Sequence, residues 1–71
     1  MKVVYPNLNN KLIERGISLK DLSEILGLNE VVIEKKMQGK LPWKLAEAVK
    51  ICIYLNFPDA KLLFVQLDTN T

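Results

Sequence analysis

Residues 18–39 read Ser-Leu-Lys-Asp-Leu-Ser-Glu-Ile-Leu-Gly-Leu-Asn-Glu-Val-Val-Ile-Glu-Lys-Lys-Met-Gln-Gly. This stretch contains two short runs with apolar residues at helical spacing, and Gly27-Leu28-Asn29 separates them. A residue that favours helix N-caps, Ser18, opens the first run, and a helix-stopping residue, Gly39, follows the second. The layout predicts two short helices joined by a tight turn, a helix-turn-helix over residues 18–39.

The ends of the first of these helices are marked by residues with specific capping roles. The hydroxyl of Ser18 can accept a hydrogen bond from the backbone N–H near Asp21, and Asp21 suits the positive end of the helix dipole. Gly27 stands where a helix commonly ends in the left-handed conformation, which favours glycine. The residues predicted to face the core are Leu22, Ile25 and Leu26.

The second helix is expected to begin after Asn29, a good N-cap residue, and to run to about Gln38 before Gly39 stops it. Ile33 and Met37 are four residues apart and are expected to anchor this helix to the core.

Three further helices are predicted around this pair. The first covers about 7–15, with Pro6 in its first turn and Gly16 at its end. The fourth covers about 44–55, with Trp43 packing onto Ala48 just before it and Glu47 supporting its N-terminus. Its inward positions, taken from the 3.6-residue period, are Leu45, Ala48, Val49, Cys52 and Leu55.

The two ends of the chain are less determined. Residues 1–5 are apolar and β-branched and could form an extended arm against the body or a partner. Residues 60–66 could form a fifth helical turn that closes the core, or an extended edge that pairs with a second chain. Residues 68–71 are expected to be a frayed tail. The prediction is an all-α bundle of about five short helices, forming one domain over residues 1–71.

The composition excludes several classes of protein. The chain has 71 residues, one cysteine and no histidine, so it cannot form an internal disulfide or the usual zinc sites. Catalysis by a Ser–His or Cys–His pair is excluded as well, and no enzyme activity, metal or cofactor is expected. No apolar run approaches the ~20 residues that span a bilayer, and no signal peptide is visible, so a cytoplasmic location is expected.

The net charge of +2 is modest, but the cations are unevenly placed. Lys35, Lys36, Lys40 and Lys44 fall within ten residues that contain no acid. This segment is the best candidate for a surface that faces phosphate groups. Within it, Lys36 is expected to be solvated, because its neighbours Ile33 and Met37 point inward.

The order of elements resembles the phage-repressor-like helix-turn-helix family, which includes the lambda-repressor and Cro-like (Xre-type) domains. The resemblance covers about residues 5–65 and is strongest from Leu22 through Leu28 together with Ile33. The other matching pieces are Tyr5-Pro6-Asn7-Leu8, Gly39-Lys40 and Leu45-Ala46-Glu47-Ala48-Val49-Lys50-Ile51.

The resemblance implies that the chain binds double-stranded DNA as a homodimer and regulates transcription, localising to the nucleoid when bound. Residues 29–38 would be the recognition helix, entering the major groove. The positions that would face base edges are Asn29, Glu30, Val31, Glu34 and Lys35. Those near phosphates would be Ser18, Lys20, Lys40 and Lys44. For self-association, the candidates are residues 62–67 and the end of the fourth helix.

A second reading of the same fold stays open. Glu30 and Glu34 stand where the family commonly has amides, hydroxyls or arginines, and Val31 and Val32 offer only apolar contact. An acidic rim around apolar residues suits a protein partner better than a polyanion. The alternative is therefore a protein-protein interaction module that keeps the fold and has lost DNA affinity.

Overall fold

The computed structural model describes residues 4–66. Those residues contain no strand. The helices are α1 (Pro6–Arg15), α2 (Leu19–Leu26), α3 (Glu30–Met37), α4 (Leu45–Leu55) and α5 (Ala60–Leu63). The predicted all-α architecture of five short helices, with α2 and α3 as the helix-turn-helix, is confirmed.

The α2–α3 corner has the predicted caps. Ser18 Oγ accepts from the Asp21 N–H at 3.2 Å, and Asp21 Oδ2 accepts from the Ser18 N–H at 2.9 Å, which together form a capping box. Gly27 ends α2 with φ +67°, in the left-handed region that disfavours residues with a Cβ. Asn29 Oδ1 then accepts from the Val31 N–H at 2.8 Å and caps α3. Because the backbone groups at the helix ends have local hydrogen-bond partners, the turn between α2 and α3 fixes the direction of α3 relative to α2.

The core takes residues from all five helices. Its largest fully buried side chains are Leu8, Leu22, Ile33, Ile51, Leu55 and Leu63. Since Leu63 lies in α5 and is fully buried, residues 60–63 form the helical turn that closes the core, which decides between the two alternatives for this segment. Tyr5, at the end of the predicted arm, is buried too. Residues 1–3 of that arm and the predicted tail lie outside the described residues.

The predicted inward face of α4 was partly wrong. Leu45 is 78 % exposed and Val49 is 43 % exposed, whereas Ile51, which the prediction omitted, is 1 % exposed. The buried face consists of Ala48, Ile51, Cys52 and Leu55. Most residues of α4 are apolar, so more than one stripe fits the helical period and the sequence pattern does not fix which one meets the core.

Arg15 joins the C-terminal ends of two helices. It lies in the last turn of α1, where its charge favours the negative end of that helix. Its Nη2 also donates to the Leu55 carbonyl oxygen at 3.0 Å, so it satisfies one of the free carbonyls at the end of α4. None of the helices in the described part of the chain has the length and apolar character needed to cross a membrane.

Candidate nucleic-acid interface

The outer side of α3 presents the five positions predicted to face base edges. We call Asn29, Glu30, Val31, Glu34 and Lys35 the reading face; all five are exposed. The four that lie within the helix span about 140° of its circumference. The buried residues of α3, Ile33 and Lys36, lie on the opposite side. One side of α3 therefore meets the core, and the reading face is left to solvent.

The reading face combines one apolar side chain with charges of both signs. Val31 has an apolar side chain, and yet 60 % of this residue's surface is exposed to solvent. Glu30 lies in the first turn, where its charge favours the N-terminus of α3. Neither Glu30 nor Glu34 forms an ion pair with any residue between 4 and 66. Lys35 is the one cation among the five, so the face is not strongly basic.

The positions predicted to meet phosphates are also exposed, and they come from two regions. Ser18 and Lys20 lie at the start of α2, where backbone N–H groups and the helix dipole favour an anion. Lys40 and Lys44 lie in the segment between α3 and α4. The structure thus places the two pairs on different elements that both adjoin α3 along the chain.

The segment that carries Lys40 is held in place by short contacts. Its backbone N–H donates to the Lys35 carbonyl oxygen at 2.9 Å. Gly39 has φ +78°, and a Cβ added there would lie 3.2 Å from Val4 Cγ1. The chain therefore turns tightly here and passes close to Val4, so a side chain at position 39 would strain the backbone and press on the Val4 methyl group.

The prediction that Lys36 is solvated was wrong, because this side chain is buried. It is 5 % exposed, and its Nζ donates to Glu47 Oε1 at 2.8 Å and to the Pro42 carbonyl oxygen at 2.9 Å. The ammonium also lies 5.7 Å from the centre of the Trp43 ring. A buried lysine needs such a complete set of partners. Its acid stands eleven residues along the chain, beyond the reach of a helical pattern.

Glu47 joins α3 to the start of α4. Besides binding Lys36, its Oε1 accepts from the Lys44 N–H at 2.9 Å, which confirms the predicted support of the α4 N-terminus. Burial raises the pKa of the Glu47 carboxyl, but the hydrogen bonds from Lys36 and from the Lys44 backbone outweigh this and leave the pKa below its usual value. The ionised carboxylate is therefore the form that the folded protein favours.

Trp43 is held by other aromatic rings of the chain. Its ring packs edge-to-face against Tyr5, at 6.4 Å between centroids, and against Phe64, at 5.6 Å. Packing against these two rings thus holds Trp43, and its predicted contact with Ala48 stays a prediction. The aromatic cluster and the Lys36–Glu47 pair together fix residues 38–44 between α3 and α4.

Comparison with known proteins places this arrangement in a family. Searches of curated proteins and of solved structures found no match. The sequence model of one family, described as the Cro/C1-type HTH DNA-binding domain, matches residues 7–58. The match covers more than half of the chain and includes all of α2, α3 and α4. The chain therefore belongs to the Cro/C1-type family of helix-turn-helix DNA-binding domains.

Proposed function

We propose that this chain is a sequence-specific transcriptional regulator of the phage-repressor type, acting in the cytoplasm at the nucleoid without enzymatic activity. It binds double-stranded DNA as a homodimer, and each copy inserts the N-terminal part of α3 into the major groove. The observation that carries the proposal is the exposure of all five reading-face residues on a helix whose other side is anchored in the core.

Each part of the reading face has chemistry that suits a base edge. Lys35 can donate to guanine O6 and N7, and Val31 can pack on a thymine methyl group. Glu30 and Glu34 can accept from the amino group of cytosine. These contacts would select sequence, because they reach atoms that differ between base pairs.

Contacts to the DNA backbone would set the register. The donors are the side chains of Ser18, Lys20, Lys40 and Lys44. With about three lysines on phosphates in each subunit, a dimer should show a slope near −5 in a plot of log affinity against log salt concentration. The electrostatic contribution is therefore moderate, as the small net charge of +2 requires.

Selection from a random DNA pool, followed by fluorescence anisotropy on the selected duplex, tests the proposal. Lys40→Ala should weaken binding to all sequences by a similar factor, whereas Val31→Ala should change the preferred bases. Lys61→Ala is the matched control, since Lys61 is an exposed lysine on α5 outside the proposed interface. A Lys40→Ala variant that binds as well as the parent, or no more weakly than Lys61→Ala, would refute the phosphate assignment.

A second candidate function rests on the acidity of the reading face. Glu30 and Glu34 flank the exposed Val31 without ion pairs inside residues 4–66, and this arrangement fits a protein partner. Random duplex DNA at low salt separates the two functions. A regulator should bind it more tightly than the Kd of about 10⁻⁴ to 10⁻⁶ M that is typical of non-specific binding at physiological salt. An interaction module should not bind, and Glu30→Gln/Glu34→Gln should then restore weak binding by removing two negative charges.

A further inference from the structure

Helix α4 carries a line of aliphatic side chains that neither the core nor the proposed DNA interface uses. We call Leu45, Val49 and Ile53 the α4 stripe; they are 78 %, 43 % and 74 % exposed. Because they are four residues apart, they follow one side of the helix within an arc of about 80°. Burying these side chains against another molecule would remove apolar surface from water, which is the dominant favourable contribution to association.

We infer that the α4 stripe is the surface through which two copies of this chain pair, with the two α4 helices antiparallel. The inference rests on the proposed function for its purpose, since a two-fold DNA site requires a two-fold protein. In a two-fold contact the same patch meets itself. Val49 would then lie at the axis against its counterpart, and Leu45 of each copy would meet Ile53 of the other.

The stripe is suited to meeting its own copy. It contains no charged residue, so apolar side chains oppose apolar side chains along its whole length. A groove of about 280 Å³ lies beside its C-terminal end, lined by Cys52, Ile53, Asn56, Phe57 and Pro58. In the antiparallel arrangement the Leu45 side chain of the second copy has this groove to enter, which extends the contact beyond the three aliphatic residues.

Other exposed apolar residues in the described part of the chain do not form a comparable line. Ile13 is 70 % exposed but stands on α1 without an exposed aliphatic neighbour four residues away. Leu62 and Val65 are 51 % and 47 % exposed, but they belong to a helix of four residues and the turn after it. The α4 stripe extends over nine residues of one regular helix, from Leu45 to Ile53, and offers the larger continuous surface.

The size of the stripe indicates how strong the pairing should be. Its exposed surface is on the order of a few hundred Å² per copy. Two copies therefore bury less than the about 1,200 Å² at which stable interfaces begin, even with the groove included. The pair should be weak in solution and should form on DNA, where two adjacent half-sites hold the copies at a high effective concentration.

Cysteine cross-linking tests the geometry without using DNA. In a Cys52→Ala background, which removes the buried free thiol, Val49→Cys should form a disulfide-linked dimer under a mild oxidant. A mixture of separate Leu45→Cys and Ile53→Cys proteins should form the mixed dimer in preference to either homodimer. Ile13→Cys is the control, because it is equally accessible and lies off the stripe. Cross-linking of Val49→Cys no faster than Ile13→Cys would overturn the inference.

Sedimentation tests the same surface without new thiols. The average mass of the parent should rise above 8.1 kDa with concentration, whereas Val49→Asp should stay at that mass and Ile13→Asp should behave as the parent. On DNA with two half-sites, Val49→Asp should bind about 100-fold more weakly. A parent that stays monomeric at all concentrations and on DNA would overturn the inference.

Failure of the pairing and failure of the proposed function give different results. Cross-linking through Val49→Cys without any DNA binding would support the α4 interface and overturn the regulator function. DNA binding by a protein that does not cross-link at the stripe would support the regulator function and overturn the α4 interface. A hetero-partner on the stripe would leave the purified chain monomeric, which also counts against pairing.

Discussion

Helix α3 buries a lysine, whereas α4 leaves three aliphatic side chains in solvent. Lys36 has two acceptors and an aromatic ring around its ammonium, all from the same chain. Leu45, Val49 and Ile53 have no such cover from their own chain. Whether a side chain is buried therefore depends on the groups that the chain places around it, and residue type alone does not decide it. Where the chain supplies a partner, even a charge is buried; where it does not, a second molecule is the natural candidate.

Removing the partner of Lys36 should have the largest effect. Glu47→Ala leaves a buried ammonium without its carboxylate and should cost about 3 kcal/mol in the free energy of unfolding. That is a large part of the roughly 4–10 kcal/mol expected for a domain of this size. Urea denaturation followed by circular dichroism measures it.

The double variant Lys36→Met/Glu47→Ala is the control for that prediction. It should be more stable than Glu47→Ala alone, because it removes the unpaired charge and puts an apolar side chain of similar length in its place. A double variant less stable than the single one would mean that Lys36 is not held by its charge partner, and the contrast with α4 would fail.

The turn that directs α3 should come next in size. Gly27→Val should cost on the order of 1–2 kcal/mol, because Gly27 has a φ of +67°. Nothing lies within 4 Å of a Cβ built at this position, so the cost is backbone strain alone. Gly27→Asn, which tolerates this conformation better, should lose less in the same urea denaturation series. An equal loss in both variants would indicate crowding instead of strain.

The Lys36–Glu47 pair should also make stability depend on pH. Since the pKa of Glu47 is lowered in the folded protein, its contribution is complete above the unfolded pKa of about 4.5 and is lost as the pH falls through the folded value. The urea concentration at the unfolding midpoint should therefore fall as the pH is lowered below about 4.5. This fall should be smaller in the Glu47→Gln variant. Asp21 adds a dependence of the same sign, because hydrogen bonds from the backbone and hydroxyl of Ser18 lower its pKa. Asp21→Asn therefore measures the part of the pH dependence of stability that Glu47 does not account for.

Substitution on the α4 stripe should have the smallest effect on the stability of the single chain. Leu45→Ser should change the free energy of unfolding by about 0.5 kcal/mol or less at low concentration, since this side chain has few contacts to lose. Leu55→Ala, on the buried face of the same helix, should cost about 2–5 kcal/mol. If Leu45→Ser cost as much as Leu55→Ala, the stripe would belong to the core and the comparison would not stand.

The sequence predicted the elements and the corner well because their signals are local. Ser18, Gly27 and Asn29 each act on backbone groups within four residues, so their roles can be read from neighbours in the chain. The face of α4 could not be predicted, because several of its stripes are equally apolar and the choice depends on how the other helices surround it.

The same distinction applies to the candidate interface. Exposure of the reading face follows from the periodicity of α3 once Ile33 is assigned to the core. The burial of Lys36 depends on Glu47 and Pro42, which approach only after the chain has turned at Gly39. The contacts of the reading face with bases are predictions, since they depend on a molecule outside the chain.

The cap of α3 restricts what its first side chain can recognise. Asn29 Oδ1 accepts from the backbone N–H of Val31, so one of its two lone pairs is used and the cap sets the orientation of the amide. Pairing with both N6 and N7 of adenine requires the oxygen and the nitrogen to face the base together. While the cap holds, the amide nitrogen can donate to guanine, to thymine O4 or to a phosphate. An amide that turned fully toward adenine would uncap the helix, at about 1 kcal/mol.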